Sequence, residues 1–351
     1  MLNHRTIQII LDFDGTITTK DTIEPLVQSA IAFNHPSLSP SERSQTPEGE
    51  AWDNCKSQYL AELAEHYEKE NNEPNDGAAV TGLAGLEREQ RSLDALRDVE
   101  LASVQRVGES GIFKGIPMEA FREMGRAAAM TGEAEGKDNR AVVVREDFRG
   151  FLGWLNQIVG GEFGVISVNW SWKWVRGVLD VVIGNFNVKI IYGYVVANDI
   201  DGSTGMIRGY PLHMLARRRT YLLTTADKLL AQKLMLHDKF SLGAVSPQPL
   251  TVYIGDSPTD LSPLLHADIG IIMESPSSTP GALRNLIEKC GYRVLPASKY
   301  KELYRKGDSE KVAILLSVNN FMEIKDSGML EDEKWDPTAA KEAWKKAESE
   351  D

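Results

Sequence analysis

A short apolar segment that ends in two carboxylates constrains this chain more than any other feature. Residues Ile7 to Leu11 form a β-branched apolar run, and Asp12-Phe13-Asp14-Gly15-Thr16 follows directly. Apolar runs of this kind are typical of strands that are buried on both faces of a parallel sheet. Chemistry in open α/β sheets lies at the carboxyl ends of such strands. The sequence therefore predicts an α/β protein with a reactive centre at the end of its first strand.

The two aspartates of this segment suit a phosphoryl transfer in two steps. A carboxylate can attack phosphorus to give an acyl phosphate, and a second carboxylic acid can protonate the leaving alkoxide. Asp12 is the candidate nucleophile, and Asp14 is the candidate general acid and base. Because paired aspartates in turns are more often caps or solvated groups, this interpretation depends on further segments of the chain.

A second predicted strand end repeats the pattern in the last third of the chain. The apolar run Val252-Tyr253-Ile254 leads into Gly255-Asp256-Ser257-Pro258-Thr259-Asp260. Mg²⁺ prefers hard oxygen ligands and is typically held by one or two carboxylates together with a substrate phosphate. We therefore expect a Mg²⁺ site formed by Asp12, Asp256 and the backbone carbonyl of Asp14.

Two polar residues lie between these segments. Ser167 follows a predicted strand, and Lys228 lies near the start of a predicted helix. A hydroxyl and an ammonium can bind phosphate oxygens and offset the charge of a transferring phosphoryl group. Singly, such residues are usually turn or surface groups, so their order and spacing carry the signal.

Together the four segments resemble the motifs of the haloacid dehalogenase superfamily, matched by Asp12 to Thr16, Ile166-Ser167, Asp227-Lys228 and Gly255 to Asp260. The resemblance implies that Asp12 is nucleophile and metal ligand, that Ser167 and Lys228 bind phosphate, and that Asp260 orients Lys228. It also implies neighbouring roles at the phosphate and metal for a larger set of residues: Gly15, Thr16, Val168, Asn169, Ser257 and Thr259.

The expected fold is an α/β protein with a Rossmann-like parallel core and a mainly helical cap inserted after the first strand. The predicted core spans 1–20 and 146–324, the cap spans 21–145, and an acidic, polar segment at 325–351 is either a solvated tail or a surface helix. The remaining expectations are loops at 35–49, 71–85 and 131–139, strands at 163–167, 189–196, 250–255 and 269–273, helices at 172–183 and 226–240, and a hairpin around 201–205.

The helical insert is similar in position to the cap of phosphoserine phosphatases and methionine-salvage enolase phosphatases. Asp21 lies where the phosphoserine enzymes place an acidic residue that contacts substrate, but it is equally well explained as a helix N-cap. Ser167 is followed by Val168-Asn169-Trp170, where those enzymes have glycines, which favours a different substrate. Aromatic side chains beside a strand end are more often core residues, but Trp170, next to Asn169, is a pocket candidate. This form of the motif after Ser167 is similar to that of fungal members of the superfamily.

Composition narrows the partners and the compartment. The chain has 351 residues and a formal net charge of -12, which argues against general affinity for nucleic acid. Asp12 interrupts the first apolar run, so no signal peptide is predicted. No stretch is long enough and apolar enough to predict a membrane span. Cys55 and Cys290 lie far apart and indicate no disulfide framework or zinc site. We expect a cytoplasmic protein, monomeric or homodimeric, whose partner is a small phosphorylated metabolite.

Three functions fit these observations. The first is a Mg²⁺-dependent phosphatase that hydrolyses a small phosphate monoester through an aspartyl-phosphate on Asp12. The second is another enzyme on the same core, a phosphomutase or a dehalogenase, although Asp14 argues against dehalogenation, which needs no acid beside the nucleophile. The third is a catalytically silent binding or regulatory protein, which the presence of Asp12, Asp14, Lys228 and Asp256 disfavours.

Overall fold

The computed structural model describes residues 6–72, 80–130, 140–158, 163–183, 195–213, 216–241, 249–275, 281–306 and 311–350. The strands in these ranges are β1 (Ile7–Leu11), β2 (Phe163–Ile166), β3 (Val195–Val196), β4 (Asp199–Ile200), β5 (Ile207–Arg208), β6 (Tyr210–His213), β7 (Ala216–Thr220), β8 (Leu250–Gly255), β9 (Ile269–Met273), β10 (Arg293–Pro296) and β11 (Ala313–Val318). The helices are α1 (Ile23–Asn34), α2 (Pro40–Arg43), α3 (Pro47–Asn72), α4 (Gly82–Ala95), α5 (Arg97–Glu109), α6 (Met118–Ala129), α7 (Phe148–Ile158), α8 (Trp172–Ile183), α9 (Thr225–Ser241), α10 (Leu261–His266), α11 (Ala282–Lys289), α12 (Met322–Ser327) and α13 (Pro337–Glu350), with 3₁₀ turns at Pro258–Asp260 and Ala297–Glu302.

A parallel sheet of seven strands forms the centre of the described structure, in the order β10-β11-β9-β8-β1-β2-β3. Every residue of β1, β9 and β11 is buried, as expected for strands covered on both faces by helices. The expected Rossmann-like α/β core is confirmed.

The order in which strands are added to the sheet reverses at β1. The chain adds β2 and β3 on one side of β1, and then returns to place β8 and β9 on the other side. Leu11 at the end of β1 pairs with Val165 of β2 and with Ile254 of β8, so the three strands end close together. Open α/β sheets bind ligands at such a topological switch point. The segments that follow β1, β2 and β8 therefore meet at one edge.

In the described part of the chain between β1 and α7, six helices, α1 to α6, form the helical insertion expected from the sequence. The last of them, α6, packs against core helix α8 through two glycines. A Cβ on Gly125 would lie 2.4 Å from the carbonyl oxygen of Trp174, and one on Gly177 would lie 2.0 Å from that of Arg122. Because any side chain would push these backbones apart, both glycines are required for this contact.

Polar contacts hold α4 and the start of α5 against the core at the edge where the segments after β1, β2 and β8 meet. Arg97 Nη1 lies 2.6 Å from both carboxylate oxygens of Asp227 in α9. Asp94 accepts a hydrogen bond of 3.0 Å from the Ala226 N–H. Since both contacts involve the first turn of α9, they fix the insert beside the helix that carries Lys228.

The structure confirms most of the predicted core elements and extends them. The predicted strands at 250–255 and 269–273 are β8 and β9, the strand at 163–167 ends one residue earlier as β2, and the hairpin is the antiparallel pair β4 and β5. Of the strand predicted at 189–196 only Val195–Val196 is described, and the loop at 131–139 lies outside the described residues. The sequence analysis missed β10 and β11, and it missed α2 inside the loop predicted at 35–49.

The end of the chain packs on the core as a helix. Trp344 of α13 is 6% exposed, and its ring stacks on Tyr304 at 5.6 Å between centroids. Thr338 donates a hydrogen bond of 2.9 Å to Asp268. Within the segment 325–351, residues 337–350 therefore form a helix packed on the core and not a solvated tail. Within the described ranges, no helix combines the length and the apolar character needed to cross a membrane.

Candidate active site

Asp12 is the first residue after β1 and is buried against a lysine. Its N–H still donates to the Ile254 carbonyl of β8 at 2.8 Å, which continues the parallel ladder and fixes its position. The Lys228 ammonium, which is fully buried, lies 2.9 Å from Asp12 Oδ1 and 2.7 Å from Asp260 Oδ1. Burial alone would lower the pKa of Lys228, but Asp12 and Asp260 more than offset this and raise it. The ammonium is therefore fixed beside the candidate nucleophile in its charged form.

Asp260 is held by its own turn as well as by Lys228. The Tyr253 hydroxyl donates to Asp260 Oδ1 at 2.8 Å, and the Ser257 hydroxyl donates to Oδ2 at 3.1 Å. The Ser257 and Thr259 hydroxyls are 2.8 Å apart in the same turn. The structure thus places Asp260 where the resemblance predicts a residue that orients Lys228, with Ser257 and Thr259 beside it.

Asp12, Asp256 and Asp260 form a cluster of carboxylates. One oxygen from each of the three lies within 4.8 Å of the others. Thr16 donates to Asp256 Oδ1 at 2.8 Å. Burial, followed by the Asp260 carboxylate, raises the pKa of Asp256 to about 7. Burial likewise raises the pKa of Asp12, with Asp260 adding to the effect and Lys228 opposing it. One ammonium is not enough to compensate the negative charge gathered here.

This cluster fits a divalent cation that prefers oxygen ligands. Asp12 Oδ1, although close to Lys228, accepts no well-directed hydrogen bond from the described residues. A buried carboxylate oxygen without such a partner is costly, and a metal ion would satisfy it. Gly15 allows Asp256 to approach the first motif, because its φ is +77° and a Cβ there would lie 2.1 Å from Asp256 Oδ2. The Asp14 carboxylate is not part of the cluster, and its backbone carbonyl stays a predicted ligand.

Asp14 points in a different direction from Asp12. Its Oδ1 accepts a hydrogen bond of 2.9 Å from the Thr22 N–H, and its Oδ2 accepts one of 3.1 Å from the Asn169 side-chain amide. Burial, followed by the Asp21 carboxylate, raises the pKa of Asp14 to about 6. A carboxylic acid with this pKa can hold a proton near neutral pH and release it, as a general acid must.

The turn after β2 brings Ser167 to Asp14. The Ser167 hydroxyl lies 3.5 Å from Asp14 Oδ2 and accepts a hydrogen bond of 3.0 Å from the Asn169 N–H. The Asn169 backbone N–H is therefore hydrogen-bonded within the turn, although the sequence predicted Asn169 beside phosphate. Asn198 fixes this turn, because its side chain donates to the Val168 and Leu222 carbonyls at 3.2 and 3.0 Å.

Sequence reasoning missed Arg145, which supports the first motif from below. Its guanidinium donates to the carbonyls of Gly15 and Thr16, both at 3.0 Å, and to that of Glu274 at 3.2 Å. Burial lowers the pKa of Arg145. A single arginine between an insert and a helix carries no sequence signal for this role, because the carbonyls it binds come together only in the folded sheet.

A cavity of about 440 Å³ lies between the strand ends and the helices of the insert. Asp14 and Thr259 line it from the core, as do Val168 and Trp170, whereas Asp12 does not line it. Asp21 also faces the cavity while its carboxylate accepts a hydrogen bond of 2.8 Å from the Ile23 N–H. Of the two positions that the sequence left open for Asp21, the pocket wall is the one it occupies, because the N-cap of α1 is Thr22.

Fold and site together define a Rossmann-like α/β protein whose two strand-end aspartates, buried lysine and acidic cluster meet at a topological switch point. All four segments that carry the resemblance to the haloacid dehalogenase superfamily lie at this edge of the sheet. No protein-family model matches the chain.

Comparison with known proteins gives fungal relatives. The chain is 28% identical over 275 residues to a CTO1 family protein of Schizosaccharomyces pombe, covering 76% of this chain and 81% of that protein. It is 25% identical over 293 residues to Cold tolerance protein 1 of Saccharomyces cerevisiae, covering 80% and 83%. The predicted similarity to fungal proteins is confirmed.

Two phosphoserine phosphatase structures are also similar. One, which holds an analogue of a phospho-aspartyl intermediate, is 16% identical with a TM-score of 0.39 and covers 81% of this chain and 91% of its own. The other, a complex with bound substrate, is 15% identical with a TM-score of 0.41 and covers 93% and 99%.

Proposed function

We propose that this protein is a Mg²⁺-dependent phosphatase that hydrolyses a small phosphate monoester through an aspartyl-phosphate on Asp12. The observation that carries the proposal is the different setting of two aspartates in one turn. Asp12 lies against Lys228 and the acidic cluster, whereas Asp14 lines the cavity in which a leaving group would fit. The pair is therefore arranged so that one carboxylate attacks phosphorus while the other serves the departing oxygen.

The reaction follows from these positions. An Asp12 oxygen forms a bond to phosphorus as the bond between phosphorus and the ester oxygen breaks, and the electron pair stays on that oxygen. Asp14 donates its proton to the departing oxygen, giving a neutral alcohol. In the second step Asp14, now a carboxylate, takes a proton from water while the water oxygen bonds to phosphorus. The bond between phosphorus and Asp12 then breaks, releasing phosphate and restoring both side chains.

Charge on the transferring group is balanced by the chain and by a cation. Lys228 places its ammonium beside Asp12, where negative charge concentrates on the phosphoryl oxygens. Ser167 offers a hydroxyl from the neighbouring strand end. Asp12 and Asp256 would hold Mg²⁺, which as a Lewis acid would supply further stabilisation of the phosphoryl oxygens. The cavity supplies contacts to the rest of the substrate and helps to exclude water.

The test is the covalent intermediate. Wild-type protein incubated with Mg²⁺ and a phosphate monoester is quenched in acid, and the site of any phosphoryl adduct is mapped by mass spectrometry. We expect the adduct on Asp12 in the wild-type protein, and neither adduct nor turnover in Asp12→Asn. The control is Asp326→Asn, at an exposed aspartate of α12, which should show the adduct and normal turnover. Turnover by Asp12→Asn, or full activity in chelator, would contradict the proposal. Mg²⁺ binding measured by calorimetry should weaken in Asp256→Asn.

A further inference from the structure

The cavity beside Asp14 is rich in negative charge. Its volume of about 440 Å³ lies within the usual range of small-molecule sites. Besides the candidate acid Asp14, three carboxylates line it, those of Asp21, Glu24 and Glu100. Among the described lining residues, Lys56 is the one ammonium or guanidinium. The formal charge of the wall without Asp14 is thus three negatives against one positive.

Lys56 is already paired with carboxylates. Its ammonium lies 3.0 Å from Asp53 and 3.6 Å from Glu24, and it also sits 5.3 Å from the centre of the Trp52 ring. A substrate carboxylate would have to compete with both of these acidic partners. The one described cation of the wall is therefore already compensated by carboxylates. An ester with its own carboxylate would find no free positive charge there and would be repelled by the acidic side chains.

The cavity carboxylates are held in place by neutral donors. The indole N–H of Trp52 donates to Glu24 at 2.8 Å, and the Tyr59 hydroxyl donates to Glu100 at 2.8 Å. Such bonds fix the orientation of a carboxylate without cancelling its charge. Desolvation raises the pKa of Asp21 and that of Glu100, as expected where negative charge lacks a counter-ion. A cation that entered the cavity would be stabilised by both groups.

The remaining walls are mostly apolar, although Ser103 and Thr259 also line the cavity. Their largest part is made of aromatic and aliphatic side chains from both the insert and the core: Trp52, Trp170, Val104, Val107, Leu222 and Leu223. The Trp52 and Trp170 rings meet edge to face at 6.0 Å, so that the insert and the turn after β2 form one continuous surface. Such a surface suits a hydrocarbon stem.

We propose that the substrate is the phosphate monoester of an amino alcohol, with a protonated amine on a short apolar stem and no carboxylate. This rests on the proposed function, since the phosphate must lie at Asp12 for the stem to pass Asp14 into the cavity. The amine then lies among Asp21, Glu24 and Glu100, while the stem packs against the surface formed by the two tryptophans. Esters that carry a carboxylate on the same stem are disfavoured by repulsion.

Three esters of matched length separate charge from size: aminopropyl phosphate, butyl phosphate and carboxyethyl phosphate. We expect kcat/KM for the amine to exceed that for the neutral ester by about tenfold, with the carboxylate ester lower still. In Glu100→Gln, which keeps an acceptor for Tyr59, and in Asp21→Asn, the ratio of amine to neutral ester should fall toward one. Glu109→Gln, an exposed change on the same helix α5, should leave the ratio unchanged.

The outcomes distinguish this inference from the function on which it rests. Absence of Mg²⁺-dependent hydrolysis of p-nitrophenyl phosphate by folded wild-type protein would overturn the proposed function. Hydrolysis of that ester together with equal or greater preference for the neutral or carboxylate ester would overturn the substrate class alone. An amine preference that survives unchanged in both Glu100→Gln and Asp21→Asn would likewise overturn it.

Discussion

Replacement of Lys228 by methionine measures how strongly the buried charges of this site depend on one another. Methionine keeps an unbranched side chain of similar length but removes the ammonium. Lys228 and Asp260 are fully buried, and Asp12 is almost so, so that solvent screens these contacts of 2.7 and 2.9 Å very little. Removal of one partner from a buried ion pair costs about 3–5 kcal/mol, because the remaining charge is left uncompensated. We expect Lys228→Met to lower the free energy of unfolding by about this amount at pH 8.

The pH dependence has a definite sign. The folded-state pKa of Lys228 is raised above its unfolded value, so its stabilisation is complete at neutral pH and is lost only as pH rises through that folded pKa. In Lys228→Met the pKa of Asp12, already raised by burial, should rise further, because the ammonium that lowers it has been removed. A raised carboxylate pKa makes folding less stable as pH rises above the unfolded value of about 4. The stability gap between variant and wild type should therefore narrow from pH 8 to pH 5.5.

Urea unfolding followed by circular dichroism measures both effects. Lys233→Met, an exposed change on the same helix α9, controls for the loss of a lysine and should cost less than about 0.5 kcal/mol. Adding Asp260→Asn to Lys228→Met should recover part of the loss, since one of the two orphaned carboxylates is then neutral. A loss no larger than that of Lys233→Met, or a gap that does not change with pH, would refute this reasoning. Under the proposed function, kcat/KM of Lys228→Met should also fall by roughly 10²–10³-fold.

Two further changes test the turn itself. Asp14→Asn should slow the hydrolysis of alkyl phosphates, whose alkoxides are poor leaving groups, far more than that of activated aryl phosphates, because only the former need a proton in the first step. Rapid-quench measurement of the burst of intermediate formation tests this. An equal loss of burst rate for both kinds of ester would argue against the acid role. Gly15→Ala should abolish activity and weaken Mg²⁺ binding by calorimetry, because the new Cβ would collide with Asp256. Gly111→Ala shares the positive φ, of +84°, but meets nothing within 4 Å, so it should cost only the conformational strain of roughly 1–2 kcal/mol and retain activity.

Sequence reasoning located the strand ends because two signals coincide there. In Ile7–Leu11 and Leu250–Gly255, an apolar run long enough for a buried strand is followed at once by glycine and carboxylates. The run Ala313–Val318 is equally buried, but Asn319-Asn320 follows it instead of a glycine with carboxylates, and a short apolar run alone does not distinguish a strand from a helix. Its place between β10 and β9 depends on pairing with strands elsewhere in the chain. Pairing between strands that are distant in sequence cannot be predicted from any short stretch of residues.

The composition of the cavity was beyond prediction for a related reason. Trp52 and Tyr59 both lie on α3, but a local stretch of sequence does not show which surface a helix faces. Tyr59 and Glu100 are 41 residues apart in sequence and meet only because α3 packs against α5. The acidic wall therefore arises from helix packing, whereas the motif residues follow strand ends whose meeting is dictated by sheet topology.

The separation of the two aspartates links the reaction to specificity. One residue intervenes between them, yet Asp12 continues the sheet ladder beside Ile254, while Asp14 is held by Thr22 at the entry to the insert. The candidate nucleophile is thus positioned by the core, and the candidate acid is positioned partly by the first residues of the insert. In the proposed reaction, shifts in the insert would reach the chemistry through proton transfer at Asp14 rather than through attack by Asp12. Under the proposed function, the insert therefore couples recognition of the leaving group to its protonation without disturbing the geometry at phosphorus.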